Sequence, residues 1–252
     1  MNARSLFDGF RRPAPRPLSM VTAYDSTFAA IAVEAGIDVL LVGDSLANTM
    51  LGMGRTAQVG MDEMLHHLRA VRRGAPEACV VADLPFGADA TPELAAANSI
   101  RFREAGADAV KLEGCFPDRI EAIRAEGIEV VGHLGLLPQT AVSLKQVGRS
   151  DEERDRIVAE ARAVEEAGCC AFVLEHIPAE LGKIVTESVS IPTVAIGAGP
   201  HCAGQVLVMH DLLGLSARQP PFAKARIDLR GTVRETFAAW HREVAAREFP
   251  RI

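Results

Sequence analysis

A chain of 252 residues, 48% hydrophobic and 24% charged, has ordinary globular composition and enough apolar content to build a core without cross-links. Its formal net charge of −6, with no long run of one sign, argues against nucleic acid as a partner, since that calls for a basic face. No stretch approaches the ~18 apolar residues of a membrane span, and the length suits two small domains or one α/β barrel.

Residues 1–17 carry Arg4, Arg11, Arg12 and Arg16 among prolines and lack an apolar core, so they do not read as a secretory signal. A poorly ordered N-terminal arm is expected there. Cys79, Cys115, Cys169, Cys170 and Cys202 are odd in number and lack C-x-x-C spacing. They are expected to be reduced thiols of a cytoplasmic protein, packed as small apolar groups.

A first strand is predicted over 19–23. One phrase then recurs. Glu34-Ala35-Gly36-Ile37-Asp38 leads into Val39-Leu40-Leu41-Val42 and ends at Gly43-Asp44. A helix over 61–73 and a strand over 79–82 follow, the strand running into Asp83. Thr91 and Pro92 read as the N-cap and first residue of a helix over 91–105. The phrase returns as Glu104-Ala105-Gly106-Ala107-Asp108, then Ala109-Val110-Lys111-Leu112, ending at Glu113. A looser copy runs from Glu126-Gly127 through Val130-Val131 to Gly132-His133. After a helix over 151–167, Glu166-Ala167-Gly168-Cys169-Cys170 leads into Ala171-Phe172-Val173-Leu174 and ends at Glu175. Strands over 193–196 and 206–209 complete eight.

In each copy a helix ends on a left-handed glycine cap. An apolar strand follows with no polar alternation, as parallel strands covered on both faces require. Eight such strands alternating with helices predict a (β/α)₈ TIM barrel. The competing open doubly wound sheet needs a glycine-rich turn after its first strand. The chain has Tyr24-Asp25-Ser26 there, and Gly197-Ala198-Gly199 comes only after the seventh strand.

Barrel active sites lie at the C-terminal ends of the strands. Asp44, Asp83, Glu113, His133 and Glu175 are predicted there. Four carboxylates at one mouth repel one another unless a divalent cation sits among them, and an all-oxygen set suits Mg²⁺ or Mn²⁺ rather than zinc. Lys111 and Glu113 are two apart and share one strand face. The other readings are an internal Lys–carboxylate pair for Lys111, helix caps for Asp44, Asp83 and Ser45, a solvated loop acid for Glu175, and a packed or backbone-bonded histidine for His133.

Further phrases stand in one order along most of the chain. They are Thr22-Ala23-Tyr24-Asp25, Leu41-Val42-Gly43-Asp44-Ser45-Leu46, Ala82-Asp83-Leu84-Pro85-Phe86, Val110-Lys111-Leu112-Glu113-Gly114, Gly132-His133-Leu134-Gly135-Leu136, Pro138-Gln139, Val173-Leu174-Glu175, Ile196-Gly197-Ala198-Gly199 and Pro221-Phe222-Ala223-Lys224. In them the sequence resembles the ketopantoate hydroxymethyltransferase family. The resemblance implies one barrel domain over 18–252, with a C-terminal helix, of the phosphoenolpyruvate/pyruvate-binding type. It implies a homo-oligomer, often a decamer. The implied reaction is transfer of a hydroxymethyl group from 5,10-methylenetetrahydrofolate to 3-methyl-2-oxobutanoate, giving 2-dehydropantoate in pantothenate biosynthesis, through a Mg²⁺-stabilised enolate. In it Asp44 and Asp83 ligate the metal, with Glu113 ligating directly or through water. Asp44, Ser45, Asp83, Lys111 and His133 bind substrate, and Glu175 is the base.

The sequence departs from the family's pattern at Ala47, Asn48, Leu51-Gly52-Met53 and Val59-Gly60, at Cys115, and in a shortened stretch, Ser143-Leu144-Lys145-Gln146-Val147-Gly148. A paralogue acting on another α-keto acid therefore stays open. So does a Mg²⁺-dependent carbon–carbon lyase of the phosphoenolpyruvate mutase/isocitrate lyase type, although the K-x-C-G-H loop of those lyases is missing. A non-catalytic barrel kept for assembly is the third reading, and the intact acidic set argues against it.

Overall fold

The computed structural model describes residues 3–11 and 14–250. Eight parallel strands pair in chain order and close into a barrel: β1 (Leu18–Thr22), β2 (Val39–Val42), β3 (Cys79–Asp83), β4 (Ala109–Glu113), β5 (Glu129–Gly135), β6 (Ala171–Glu175), β7 (Thr193–Ile196) and β8 (Gly204–Leu207). The helices are α1 (Ala3–Asp8), α2 (Ser26–Glu34), α3 (Leu46–Thr49), α4 (Met61–Gly74), α5 (Pro92–Glu104), α6 (Pro117–Ala125), α7 (Asp151–Glu166), α8 (Ala179–Ser188), α9 (Met209–Leu212) and α10 (Leu229–Ala245). Among the described residues, no helix is long and apolar enough to cross a membrane.

The repeated phrase folds as its chemistry requires. Gly36, Gly106, Gly127 and Gly168 stand just past α2, α5, α6 and α7 with φ of 82°, 106°, 72° and 104°, the left-handed region that glycine enters without steric cost. Thr91 caps α5, its hydroxyl accepting from the Leu94 N–H at 3.2 Å, and Pro92 opens the helix. The chain divides into two compact units, residues 1–206 and 207–252. The second contains α9 and α10, with Asp228 capping α10 through the Gly231 N–H at 2.8 Å.

Two expectations are corrected. The eighth strand covers Gly204–Leu207, not 206–209, because Met209 already begins α9. Its entry needs glycine: a Cβ at Gly204 would stand 2.8 Å from the Leu18 carbonyl oxygen. The N-terminal segment is not a loose arm over 3–11, since Ala3 and Phe7 of α1 are fully buried. They pack with Phe10 against the inward side chains Leu18, Met20, Val39, Val81, Ala109, Val131, Ala171 and Val194. Arg4 fastens the helix there, donating to Glu129 at 2.9 Å and to the Gly168 carbonyl at 2.9 Å. Apolar burial thus outweighs the prolines and charges that made the segment look disordered. Met1, Asn2, Arg12 and Pro13 lie outside the described residues.

The cysteines are all free thiols. Burial pushes Cys79 and Cys169 up to about 12, so they pack as protonated apolar groups.

Because Phe7 fills the end of the barrel at which the strands begin, Phe7→Ala is expected to destabilise the fold by about 3 kcal/mol. Thermal unfolding measures this, and an unchanged melting temperature would deny α1 its role as a plug.

Candidate active site

Alternation along the strands decides which side chains reach the interior. Val81, Ala109, Val131 and Val173 belong to the inner core. Asp83, Lys111, His133 and Glu175 lie two residues further along their strands, and Glu113 two beyond Lys111, so all five face the same interior near the C-terminal ends. Register aligns them: Asp83 pairs with Lys111, Glu113 with His133, and Gly135 with Glu175. Asp44 joins them from the turn after β2. Gly135 lets β5 pass close to β6, because a Cβ there would stand 2.4 Å from the Glu175 carbonyl oxygen.

The centre is a buried ion pair. Lys111 Nζ donates to Asp83 Oδ1 at 2.7 Å and Oδ2 at 2.6 Å, with both side chains almost fully enclosed. The Asp44 N–H reaches Asp83 Oδ2 at 3.3 Å, which sets the two aspartates side by side. Gln139 connects the rest. Its side-chain amide donates to Asp44 Oδ2 at 2.9 Å and to the Leu84 carbonyl at 3.0 Å, while its backbone N–H donates to Glu113 Oε1 at 2.9 Å. His133 lies between two acids, Nδ1 at 3.3 Å from Glu113 Oε2 and Nε2 at 3.2 Å from Glu175 Oε2. Neither contact is aligned as a hydrogen bond, so His133 holds these carboxylates as a charge rather than as a directed donor.

Titration follows from this crowding. Burial raises the Asp83 carboxyl, with Lys111 opposing and Asp44 adding, up to about 7. Asp44 is raised by the same burial, against Lys111. Burial and Lys111 would lower His133, but its two flanking carboxylates prevail and carry it up to about 9. Lys111 itself stays charged, because Asp83, Asp44 and Glu113 override the burial that would neutralise it. Four carboxyl groups meet one ammonium and one imidazole, and the excess of acid is what a cation or a proton must balance.

The structure brings together Asp44, Asp83, Lys111, Glu113, His133 and Glu175. Ser45 stands beside Asp44 at the start of α3 but makes no cap bond there, and its Oγ meets Tyr24 Oη at 2.8 Å. Nor is Asp83 a helix cap, since both its oxygens serve Lys111. Two members were missed by sequence reasoning. Gln139 and Tyr24 occur in the phrases that carry the family resemblance without a role, and only tertiary placement shows that they touch the acids and Ser45.

The sequence model of the family described as ketopantoate hydroxymethyltransferase matches residues 10–252. The chain belongs to the ketopantoate hydroxymethyltransferase family. A 3-methyl-2-oxobutanoate hydroxymethyltransferase from Cyanothece sp. is 48% identical over 243 residues, covering 93% of each chain. One from Ignicoccus hospitalis is 48% identical over 237 residues, covering 92% of this chain and 90% of its own. The family relationship makes this chain a transferase enzyme. Among solved structures, phosphonopyruvate hydrolase in complex with oxalate and Mg²⁺ superposes with a TM-score of 0.72 at 17% identity, over 99% of this chain and 90% of that one. A 2,3-dimethylmalate lyase of the phosphoenolpyruvate mutase/isocitrate lyase superfamily gives 0.65 at 17%, over 100% and 90%. At such identity these share the barrel type with ketopantoate hydroxymethyltransferases and nothing finer.

Replacing Lys111 by Met leaves Asp83 buried without its partner and is expected to cost about 3–5 kcal/mol. Adding Asp83→Asn is expected to recover most of that loss. Denaturant unfolding of both variants and of Asp83→Asn alone tests it, and additive losses would show that the two side chains do not depend on each other.

Proposed function

We propose that the acidic site removes a proton from C3 of 3-methyl-2-oxobutanoate and directs that carbon onto the one-carbon unit of 5,10-methylenetetrahydrofolate, giving 2-dehydropantoate. The family relationship supports the reaction. The observation that carries the chemistry is the placement of Glu175 across His133 from Glu113, at the strand ends that also hold the Lys111–Asp83–Asp44 cluster.

The residues fit a divalent cation. Their ligand atoms are carboxylate oxygens, Asp44 and Asp83 are adjacent, and burial raises both in a cluster whose acids outnumber its cations. Among the described residues, no three His, Cys, Asp or Glu side chains converge as a finished ligand set. Mg²⁺ does not require one, as it is usually held by one or two carboxylates with water and substrate oxygens. Asp44 and Asp83 would hold it. The cation would share the Asp83 oxygens with Lys111, and Glu113, whose Oε1 takes the Gln139 N–H, would act directly or through water. When bound, the cation supplies Lewis-acid polarisation of the keto carbonyl and a counter-charge for the substrate carboxylate.

The protein's own residues do the rest. Glu175 accepts the C3 proton, held in place by the His133 charge at 3.2 Å. Lys111 is the fixed positive charge beside the keto oxygen as negative charge grows there. Gln139 keeps Asp44 and Glu113 turned toward the centre. Ser45, oriented by Tyr24, presents a hydroxyl to the keto acid. Water enters at the methylene carbon and both its C–N bonds open, the two nitrogens taking up protons as tetrahydrofolate leaves. C3 then bonds to that carbon, and its oxygen, supplied by the water, takes up a proton to become the hydroxyl of 2-dehydropantoate.

We propose further that the enzyme is a homo-oligomer. Val233, Phe237, Trp240 and Val244 recur at helical spacing along α10 and are exposed, as a subunit interface would require. Trp240→Glu is expected to lower the mass measured by light scattering, and an unchanged mass would take α10 out of the interface.

Glu175→Gln is expected to keep the fold and to slow deuterium exchange at C3 of the bound keto acid by roughly 10²–10⁴. Proton NMR in D₂O with Mg²⁺ and no folate reads it directly, and wild-type exchange in that variant would remove Glu175 from the base role.

A further inference from the structure

The donor has to reach the carbon on which Glu175 acts. A cleft of about 560 Å³ is lined by Arg55, Ala57, Gln58, Phe86, Gln139 and Thr140. Its volume lies in the range of small-molecule sites, and it is far larger than a five-carbon keto acid needs. Its inner wall is Gln139, the residue that also bonds Asp44 and Glu113. A molecule in the cleft therefore lies one side chain away from the acidic cluster.

We propose that this cleft seats the one-carbon donor, with Phe86 as the stacking face for its ring system and Arg55 as the anchor of its acidic tail. The inference rests on the donor being a reduced folate, as proposed above. Phe86 follows Asp83 by three residues, on the segment that leaves β3, and the residue is 54% exposed. A ring held open beside a polar cleft is a platform for another flat ring. Arg55 also lines the cleft, at the start of the short turn of 3₁₀ helix Thr56–Gln58. Its backbone N–H is held by Gln58 Oε1 at 2.9 Å, while its guanidinium makes no ion pair among the described residues. A guanidinium fork left open at a cleft matches a carboxylate in two-point geometry. A flat ring, a carboxylate tail and a reactive carbon are the three parts of such a donor, and Phe86, Arg55 and Gln139 line the one cleft that would receive them.

Steady-state kinetics of Phe86→Ala and Arg55→Gln test this. Each is expected to raise the KM for 5,10-methylenetetrahydrofolate about tenfold. The KM for the keto acid and its C3 deuterium exchange without folate should stay at the wild-type level. With a donor lacking the glutamyl tail, Arg55→Gln should match the wild type, while Phe86→Ala keeps its defect. Unchanged folate KM in both variants, or an Arg55→Gln defect equally large on the truncated donor, overturns the assignment. Loss of keto-acid exchange in the wild type would instead strike the reading of the acidic site on which this one rests.

Discussion

The constraint on which the site depends is the enclosure of Lys111 with Asp83. A lysine in the middle of an apolar strand is tolerable only with a partner in place. The partner comes from the neighbouring strand in exact register, and both oxygens of Asp83 take part. Asp44, Glu113, His133 and Glu175 gather around this pair, and Gln139 fixes the spacing of the acids. The result is a buried cluster with more acid than base, stable as a scaffold and unbalanced as an electrostatic unit. That imbalance is what recommends it for a divalent cation and an anionic substrate.

The two ends of the barrel divide the work. Where the strands begin, Phe7 and its neighbours close an apolar floor, and Arg4 ties α1 to Glu129. Where they end, polar groups replace apolar ones at the next inward position: Asp83 beyond Val81, Lys111 beyond Ala109, His133 beyond Val131, Glu175 beyond Val173. A single alternation of side chains therefore builds both a core that supplies stability and a rim that carries chemistry. The loop between β5 and α7 returns to the rim at Gln139. Its other end is held by the α7 cap, where Glu153 accepts from the backbone N–H groups of Gly148 and Arg149.

Most of this was legible in the sequence because the unit repeats. Glycine caps marked the helix ends, apolar runs marked the strands, and the ionisable residue at each strand end marked the mouth. Two-residue spacing alone puts Lys111 on the same face as Glu113. What escaped notice lacks periodicity. Gln139 belongs to an irregular loop, so nothing local says that its amide spans Asp44 and Leu84. Tyr24 follows β1 without the strand's alternation, and its bond to Ser45 joins segments twenty-one residues apart. The N-terminal segment misled because its charges and prolines are local, while the burial of Phe7 is tertiary. Fold alone would not have separated a transferase from a lyase, since the phosphonopyruvate and dimethylmalate enzymes share the barrel. The family relationship separates them.

The central claim is that Asp44 and Asp83 are placed to share one divalent cation beside Lys111. Calorimetric titration of the metal-free protein with Mg²⁺, with and without 3-methyl-2-oxobutanoate, tests it most directly. One site per chain is expected, tightened by the keto acid and weakened by more than about 100-fold in Asp44→Asn and in Asp83→Asn. Mg²⁺ binding of equal strength in the wild type and in both variants would contradict it.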